Sequence, residues 1–278
     1  MKIITDTGTL LKQEASKELN ITLLPLQVAI GSKNYRDAFE LDSETFVQMI
    51  KTDIPVSSQP AIGEVMEAYE DVQETLHITM TKGLSATYNS AYGIIDAEGI
   101  KHVRLFNSKT LAGPQQYLVK LAVKLRDTHT MDEIIEKMES CLRECQSFLI
   151  PQDFDYLRRG GRLSPIAATL SGVLKIKPIV TQTEGSEVLE KFAVARTLSN
   201  AFDKIVQHMV TRGVNENHRI FISHALNQPA ADLALSKMKE QFPNSVVEVL
   251  ELTPVMITQG GPGCLAVQYI LQDKETVI

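Results

Sequence analysis

Residues 76–91 read LHITMTKGLSATYNSA, and the rest of the chain is organised around them. Leu76–Met80 is a short apolar run, and small and polar residues after it lead into a helical pattern. This order predicts a strand, a turn and a helix start. Free N–H groups at a helix start carry partial positive charge, so the hydroxyls of Ser85 and Thr87 would lie beside a site for a carboxylate or phosphate. A simple N-cap role for either residue explains the same pattern.

The composition is typical of a globular protein with real hydrophobic cores. The chain has 278 residues, enough for two domains of ordinary size, and 44% of them are hydrophobic. A formal net charge of -6 argues against a nucleic-acid binder, which normally displays a basic face. The amino terminus turns polar after four residues, and no apolar run reaches the roughly 18 residues that span a bilayer. We therefore expect a cytoplasmic protein without a membrane-spanning segment.

The cysteines do not suggest a disulfide framework or a metal site. There are three of them, and Cys141 and Cys145 fall on one face of a helix predicted over Met131–Cys145. Both are then most simply core residues, while Cys264 lies far along the chain. A metal would need more ligands than this pattern supplies, so we expect neither a metal nor a cofactor.

Strands and helices alternate in the first half of the chain. Lys2–Thr5 is a predicted strand that ends in Asp6 and Thr7, and a helical pattern follows, which is the unit of an α/β sheet. Asp6 and Thr7 would lie at the carboxyl end of a strand, where ligands gather in such sheets, or would cap the next helix. Ile21–Ile30 contains Pro25 and is predicted as an edge strand, and Ser43 is predicted to cap a helix.

Two further polar turns resemble the first. Ser57 and Ser58 stand just ahead of Pro60, which marks another predicted helix start and a second possible anion site. Near the carboxyl terminus, residues 255–263 read VMITQGGPG and predict a strand that runs into a glycine-rich turn. The three turns point to one kind of ligand.

From Ser147 onward the pattern changes toward strands and turns. Residues 155–162 read DYLRRGGR and place Arg158, Arg159 and Arg162 around two glycines. Arginines favour carboxylate or phosphate, although a solvated loop would look the same. Two strands are predicted, over Lys175–Thr183 and 187–195, and Glu184-Gly185-Ser186 between them is a hairpin signal. An amphipathic helix is predicted to begin at Leu198.

Motifs of common nucleotide and hydrolase sites are absent. The sequence contains no G-x-G-x-x-G after the first strand, no P-loop and no G-x-S-x-G. Ser85 resembles a nucleophile elbow only loosely, and its base would have to be His77, His102 or His224. A serine-dependent acyl hydrolase is therefore the alternative function, together with a binding protein for another small carboxylate or phosphate.

An ordered set of motifs resembles the DegV family of bacterial fatty-acid-binding proteins from end to end. The set comprises MKIITDTG, Tyr35-Arg36-Asp37, Ser57-Ser58-Gln59-Pro60, GLSATYNSA, DYLRRGGR, Lys177-Pro178-Ile179 and GGPG. The resemblance implies an α/β fold with two domains, a mostly parallel-sheet domain over residues 1–146 and a mixed-sheet domain over 147–278. A tunnel between them would enclose one long-chain fatty acid.

The resemblance also implies which residues bind and which partner follows. In that family, the carboxylate is bound by hydroxyls from a T-S-Q-P motif and an L-S-G-T motif and by a histidine from an H-x-G-P-G turn. Carried over, these motifs implicate Ser57, Ser85 and Gln259. The predicted ligand-binding set also includes their neighbours Ser58, Ala86, Thr87 and Gly260. The protein would catalyse nothing itself and would present the acyl carboxylate to an ATP-dependent fatty acid kinase for phospholipid synthesis. The clustering of Arg158, Arg159 and Arg162 on a glycine-flanked loop of an otherwise acidic protein separately predicts a partner surface.

Four positions depart from the family pattern. Ser57 stands where threonine is usual, and Asn107-Ser108 replaces the common Asp-Ser. Ala86 replaces a glycine, and its Cβ disfavours a positive φ. Gln259 replaces the histidine, and an amide can donate a hydrogen bond but takes up no proton between pH 5 and 8.

Overall fold

The computed structural model describes residues 1–169, 176–182, 188–276 and 278. The predicted hairpin turn Glu184-Gly185-Ser186 lies outside these residues, as do Lys175 and Thr183 at the ends of one predicted strand. The strands are β1 (Lys2–Asp6), β2 (Thr22–Leu24), β3 (Gln27–Ile30), β4 (Lys33–Arg36), β5 (Val56–Ser58), β6 (Thr75–Thr79), β7 (Val103–Asn107), β8 (Cys145–Ile150), β9 (Lys177–Gln182), β10 (Glu190–Ala195), β11 (His218–His224), β12 (Val246–Glu251) and β13 (Leu265–Leu271). The helices are α1 (Gln13–Glu18), α2 (Ser43–Met49), α3 (Ile62–Tyr69), α4 (Thr87–Ala97), α5 (Ala112–Leu125), α6 (Met131–Leu142), α7 (Phe154–Arg159), α8 (Pro165–Ala168), α9 (Leu198–Thr211), α10 (Gln228–Gln241) and α11 (Pro254–Gly260).

The first sheet is parallel and has the order β2-β1-β6-β7. Every residue of β6 is buried, as a parallel strand covered on both faces should be. The chain leaves β6, turns through residues 80–86 and enters α4 at Thr87. The strand, turn and helix predicted from residues 76–91 are therefore confirmed.

The second sheet is mixed and has the order β10-β9-β8-β13-β11-β12. Only β11 and β12 run parallel among its described pairs, and β13 lies in the middle, antiparallel to both neighbours. An α/β fold with one parallel and one mixed sheet is thus confirmed. The division of the chain into residues 1–146 and 147–278 stays a prediction, since β8 itself begins at Cys145.

A third, small sheet corrects the strand predicted over Ile21–Ile30. The segment forms two strands separated at Pro25, of which β2 joins the parallel sheet and β3 pairs antiparallel with β4 and β5. Proline has no N–H for a sheet and fixes its own φ, so the chain changes direction there. Because β5 pairs with β3, Ser57 lies in the small sheet and not in the parallel sheet.

The strand predicted at Val255 is wrong, because Pro254–Gly260 is the helix α11. Proline suits the first helical turn, and the free N–H of Val255 finds an acceptor in Asp37 Oδ1 at 3.0 Å. Gly261, at φ 84°, ends the helix in a conformation that favours glycine. The chain then enters β13, a strand that the sequence analysis did not identify.

Two smaller predictions also need correction. Cys145 is the first residue of β8 and does not lie on α6, which ends at Leu142, whereas Cys141 is buried on that helix as predicted. Asp42, and not Ser43, caps α2 by accepting from the N–H of Thr45. Ser43 instead donates its hydroxyl to the carbonyl of Leu252 at 2.8 Å, which ties α2 to the segment before α11.

Helix α5 packs between the parallel and mixed sheets. Its core cluster contains Ile3 and Leu76 from the parallel sheet and Phe221 and Ile270 from the mixed sheet. Gly113 allows the close approach, because a Cβ there would lie only 2.2 Å from Phe221 Cγ. The start of α5 is therefore held directly against β11.

We expect Gly113→Ala to destabilise the protein by about 1–3 kcal/mol, because the added methyl group overpacks this contact. Gly93→Ala is the matched control: Gly93 is an exposed helical glycine whose added Cβ would meet nothing within 4 Å. That change should stabilise α4 by about 0.5–1 kcal/mol. Denaturant unfolding of both variants measures the difference, and equal free energies of unfolding would contradict the close packing at Gly113.

Candidate functional site

Two adjoining cavities lie where α11 meets both halves of the fold. A polar cavity of about 190 Å³ is lined by Leu26, Ser57, Ser58, Gln59, Met80, Leu84, Ser85, Ala86, Arg162, Val255, Met256 and Gln259. An apolar cavity of about 110 Å³ is lined mainly by aliphatic side chains from β8, β13, α7, α11 and the loops beside them. Both are bounded by Met80, Leu84, Arg162, Met256 and Gln259. The two cavities therefore adjoin across a wall formed by these five side chains.

Ser57 and Gln259 form one side of the polar cavity. Gln259 Nε2 donates to Ser57 Oγ at 2.7 Å, although 202 residues separate them along the chain. Gly160, just after α7, makes room for the amide, because a Cβ there would lie 2.4 Å from Gln259 Oε1. Since the Ser57 oxygen accepts from the amide, its own hydroxyl hydrogen remains available to a ligand.

Ser85 also lines the polar cavity, and Thr87 lies beside it. Their hydroxyl oxygens are 2.8 Å apart, and the N–H of Thr87 donates to Ser85 Oγ at 3.3 Å. The N-cap residue of α4 is Ala86, at φ −75°, so alanine adopts this turn without the positive φ that would favour glycine. Thr87 is buried, whereas Ser85 lines the cavity and can present a hydrogen to it.

The three arginines do not form one surface. Arg158 and Arg159 are exposed in the last turn of α7, where Arg158 lies 3.6 Å from Asp155 and Arg159 stacks over Tyr156. Arg162 is half-buried and lines both cavities, and its Nε donates to the carbonyl of Leu84 at 3.3 Å. The helix ends between them, so only Arg162 turns toward the cavities.

The other candidate positions line or support the cavities. Ser58 is exposed at the rim of the polar cavity, and Gly260 lines the apolar one. Asp6 and Thr7 are fully buried, and Asp6 Oδ2 accepts from the N–H of Met80 at 2.8 Å. Asp6 and Thr7 therefore support the backbone around the cavities and do not line them.

Sequence reasoning missed two features of this site. The first is Asp37, which is fully buried and accepts a hydrogen bond from the N–H of Val255 in the first turn of α11. The one sequence signal for Asp37 was its place in the Tyr35-Arg36-Asp37 motif. Gln268 is buried in the wall of the apolar cavity, and its signal was a single polar residue in LAVQYIL.

Burial changes the acidity of the supporting groups. The pKa values of Asp6 and Asp37 are both raised to about 6, chiefly because burial disfavours the charged carboxylate. Burial lowers the pKa of His77 to about 3, so this imidazole stays neutral at pH 7. No lining residue of the two cavities in the described chain is a histidine.

Each candidate base for Ser85 is engaged elsewhere. His77 Nδ1 lies 2.5 Å from the hydroxyl of Tyr69, and His102 Nε2 lies 2.9 Å from the Tyr69 carbonyl. His224 Nδ1 accepts from the N–H of Asn227 at 3.1 Å. The arrangement provides hydrogen-bond donors above an apolar cavity and gives Ser85 no imidazole partner.

The fold is that of an α/β protein with one parallel, one mixed and one small antiparallel sheet. The family model described as "Uncharacterised protein, DegV family" matches residues 1–272, and the chain belongs to this family. A DegV domain-containing protein of Listeria monocytogenes, lmo2514, is 27% identical over 97% of this chain and 98% of its own length.

Solved structures share the whole fold. DegV of Bacillus subtilis, described as a fatty acid binding protein, has a TM-score of 0.84 and 24% identity, covering 98% of this chain and 99% of its own. A stearic-acid-binding protein of Eubacterium ventriosum has a TM-score of 0.85 and 18% identity, covering 99% of each chain. Within the described part of this chain, no helix has the length and apolar character needed to cross a membrane.

We expect Asp37→Asn to remove part of the pH dependence of stability. Because the pKa of Asp37 is raised on folding, its carboxyl favours the folded state below about pH 4 and loses that contribution as pH rises to about 6. Asparagine keeps an acceptor for Val255 N–H and carries no charge. The variant should therefore lack a decline of roughly 2–3 kcal/mol across this window.

Unfolding measured from pH 4 to 8 tests this expectation, with Asp42→Asn as the control. The pKa of the exposed Asp42 is lowered by its hydrogen bonds with Thr45, so its contribution is constant above pH 4. That variant should lose the same stability throughout the window. An Asp37→Asn curve parallel to that of the parent would show that Asp37 does not titrate near 6.

Proposed function

We propose that the protein binds a long-chain fatty acid, with the carboxylate in the polar cavity and the hydrocarbon chain in the apolar cavity. The observation that carries this proposal is that a cavity with hydroxyl, amide and guanidinium groups adjoins an apolar cavity across one shared wall. A sugar or nucleotide would need polar partners along its whole length. An acyl chain needs them at one end only.

The apolar cavity can supply most of the affinity. Each CH₂ group removed from water is worth about 0.8 kcal/mol, so a long chain gains far more than its head group does. Cavities of about 190 and 110 Å³ together reach the lower end of the roughly 300–1,000 Å³ typical of ligand sites. The relatives from Bacillus subtilis and Eubacterium ventriosum, described as binding a fatty acid and stearic acid, support the same ligand class.

The polar cavity fits one carboxylate. Ser57 and Ser85 each have a hydroxyl that can donate to it, beside the amide of Gln259. Arg162 adds a positive charge to the shared wall, and a guanidinium has five N–H donors, more than its bonds to the carbonyls of Leu84 and Gly160 use. Because Gln259 does not titrate near neutrality, head-group binding should depend little on pH between about 8 and 6, until the ligand carboxylate itself begins to protonate.

Binding without catalysis is the activity that this geometry supports. An acyl hydrolase would require a base near Ser85, and His77, His102 and His224 are all hydrogen-bonded elsewhere. A small carboxylate or phosphate would fill the polar cavity alone. Affinity that rises with acyl chain length would distinguish a fatty acid from such a ligand, and native mass spectrometry of the purified protein would identify a co-purified acid by mass.

Replacing Ser57 and Ser85 together by alanine should weaken fatty-acid binding at least tenfold. Hydrogen bonds to a charged group are worth about 1.5–3 kcal/mol each, so the loss of two exceeds the 1.4 kcal/mol that corresponds to tenfold. Displacement of a fluorescent fatty acid measures the affinity. The control is Ser32→Ala/Ser199→Ala, which changes two serines outside both cavities, and equal affinity of the two double variants would reject the assignment.

We further propose that the loaded protein presents the carboxylate to an ATP-dependent fatty acid kinase, with Arg158 and Arg159 on the partner surface. Both side chains are exposed, and they lie on the helix that precedes the cavity residue Arg162. Arg162 remains part of the head-group site in this proposal. Exposed charges act mainly on the rate of encounter, and salt screens them.

Reversing both charges with Arg158→Glu/Arg159→Glu should slow association with such a kinase several-fold at low salt and leave fatty-acid affinity unchanged. Association rates measured at low and high salt test this expectation. Lys191→Glu/Lys204→Glu, at exposed lysines on β10 and α9, is the matched control. Equal rates for both double variants would remove the arginines from the partner surface.

A further inference from the structure

The apolar cavity contains one polar pair that the proposed function does not use. Gln268 on β13 is 1% exposed, and it lines this cavity together with Ser147, its partner in the register between β13 and β8. The other lining side chains are almost all apolar, among them Leu111, Leu149 and Leu252. A glutamine here needs a physical reason, because burial of an amide is costly unless it is fully hydrogen-bonded.

The orientation of the Gln268 amide follows from its partners. Its Nε2 donates to the carbonyl of Leu111 at 3.0 Å and to Ser147 Oγ at 2.7 Å. The Leu111 carbonyl can only accept, so the NH₂ end of the amide must face it. Oε1 is then fixed on the other side, where it is buried and has no hydrogen-bond partner among the described residues.

Gln268 and Ser147 together offer one acceptor and one donor. Oε1 lacks a hydrogen, and Ser147 Oγ already accepts from Nε2, so the serine hydroxyl hydrogen is available for donation. A plain CH₂ chain satisfies neither group. A hydroxyl satisfies both, because it donates through its hydrogen and accepts through its oxygen.

We propose that the apolar cavity is a specificity site for a fatty acid that carries a hydroxyl on its chain, bound between Gln268 Oε1 and the Ser147 hydroxyl. The proposal rests on the fatty-acid binding proposed above. Gln268 and Ser147 line the apolar cavity alone, whereas Ser57 and Ser85 line the polar one. The recognised hydroxyl would therefore lie on the part of the chain that enters the apolar cavity, and we expect a hydroxyl on the second carbon, next to the carboxylate, not to reach the pair.

The proposal is tested by calorimetric titration with stearate and with stearates that carry a hydroxyl on the second, tenth or twelfth carbon. A remote hydroxyl should strengthen binding about 3- to 10-fold over stearate, the value of one net hydrogen bond. The hydroxyl on the second carbon should give no such gain. Gln268→Leu, of similar size and without an acceptor, should bind stearate at least as well as the parent and lose the preference.

Gln146→Leu is the matched control, because Gln146 is adjacent to Ser147 on β8 and its side chain faces His208 and Tyr269 on the opposite side of the sheet. It should keep the preference. Ser147→Ala removes only the hydroxyl and should reduce the preference, which keeps the test decisive if Gln268→Leu fails to fold.

Equal affinity of the parent for stearate and for every hydroxylated acid would overturn the proposal while leaving fatty-acid binding intact. The proposal would also be overturned if Gln268→Leu kept the preference for a remote hydroxyl. If that variant does not fold, the same result with Ser147→Ala would overturn it. Failure of stearate and of all the hydroxylated acids to bind the parent would reject fatty-acid binding and this specificity together.

Discussion

The hydrogen bond from Val255 N–H to Asp37 is the contact on which the site depends. It joins the first turn of α11 to a buried carboxylate 218 residues earlier in the chain, and Ser43 repeats the connection through the carbonyl of Leu252. A negative group at a helix N-terminus is stabilised by the free N–H groups and the helix dipole. Because α11 carries Met256 and Gln259, fixing its start also fixes the wall shared by the two cavities.

Met80, another residue of the shared wall, is supported in the same manner. Asp6 Oδ2 accepts from the N–H of Met80, and Oδ1 accepts from Gly8 and from the side chain of Gln115 on α5. Both carboxylates are buried, and the raised pKa of each reflects the cost of keeping charge there. The protein thus gives up some stability near neutrality to hold two backbone N–H groups beside the cavities, which is consistent with a site that must be formed before its ligand arrives.

Local sequence was sufficient where local physics decides the structure. The parallel sheet followed from the apolar run Leu76–Met80 and the polar turn after it, and α9 followed from its amphipathic spacing. The positions of Ser57, Ser85 and Gln259 around one cavity agree with the family motifs, although their binding role stays a prediction. In each case the signal lies within a few residues of the element that it predicts.

Sequence reasoning failed where a distant partner decides the outcome. The stretch Val255–Thr258 contains β-branched residues and looks like a strand, but Pro254 and the carboxylate of Asp37 make it the first turns of a helix. Arg162 could not be separated from Arg158 and Arg159, because the separation depends on where α7 ends. No spacing rule within eight residues contains that information.

The distribution of polar groups suggests how the site combines affinity with selectivity. In the proposed binding mode, Ser57, Ser85 and Gln259 would orient the carboxylate through neutral hydrogen bonds, without the desolvation cost of several fixed charges. Arg162 supplies a single charge at the junction, and two backbone carbonyls already hold its guanidinium in place. Burial of the chain would favour longer acids, whereas recognition of a hydroxyl on the chain would need polar atoms beside the apolar cavity. Gln268 is the buried amide in the wall of this cavity, and a reversed amide would place its oxygen against the Leu111 carbonyl. In the proposed specificity site, the position of Oε1 is thus set by the backbone just before α5 and by β13, and recognition of a hydroxyl would not require the cavity to change shape.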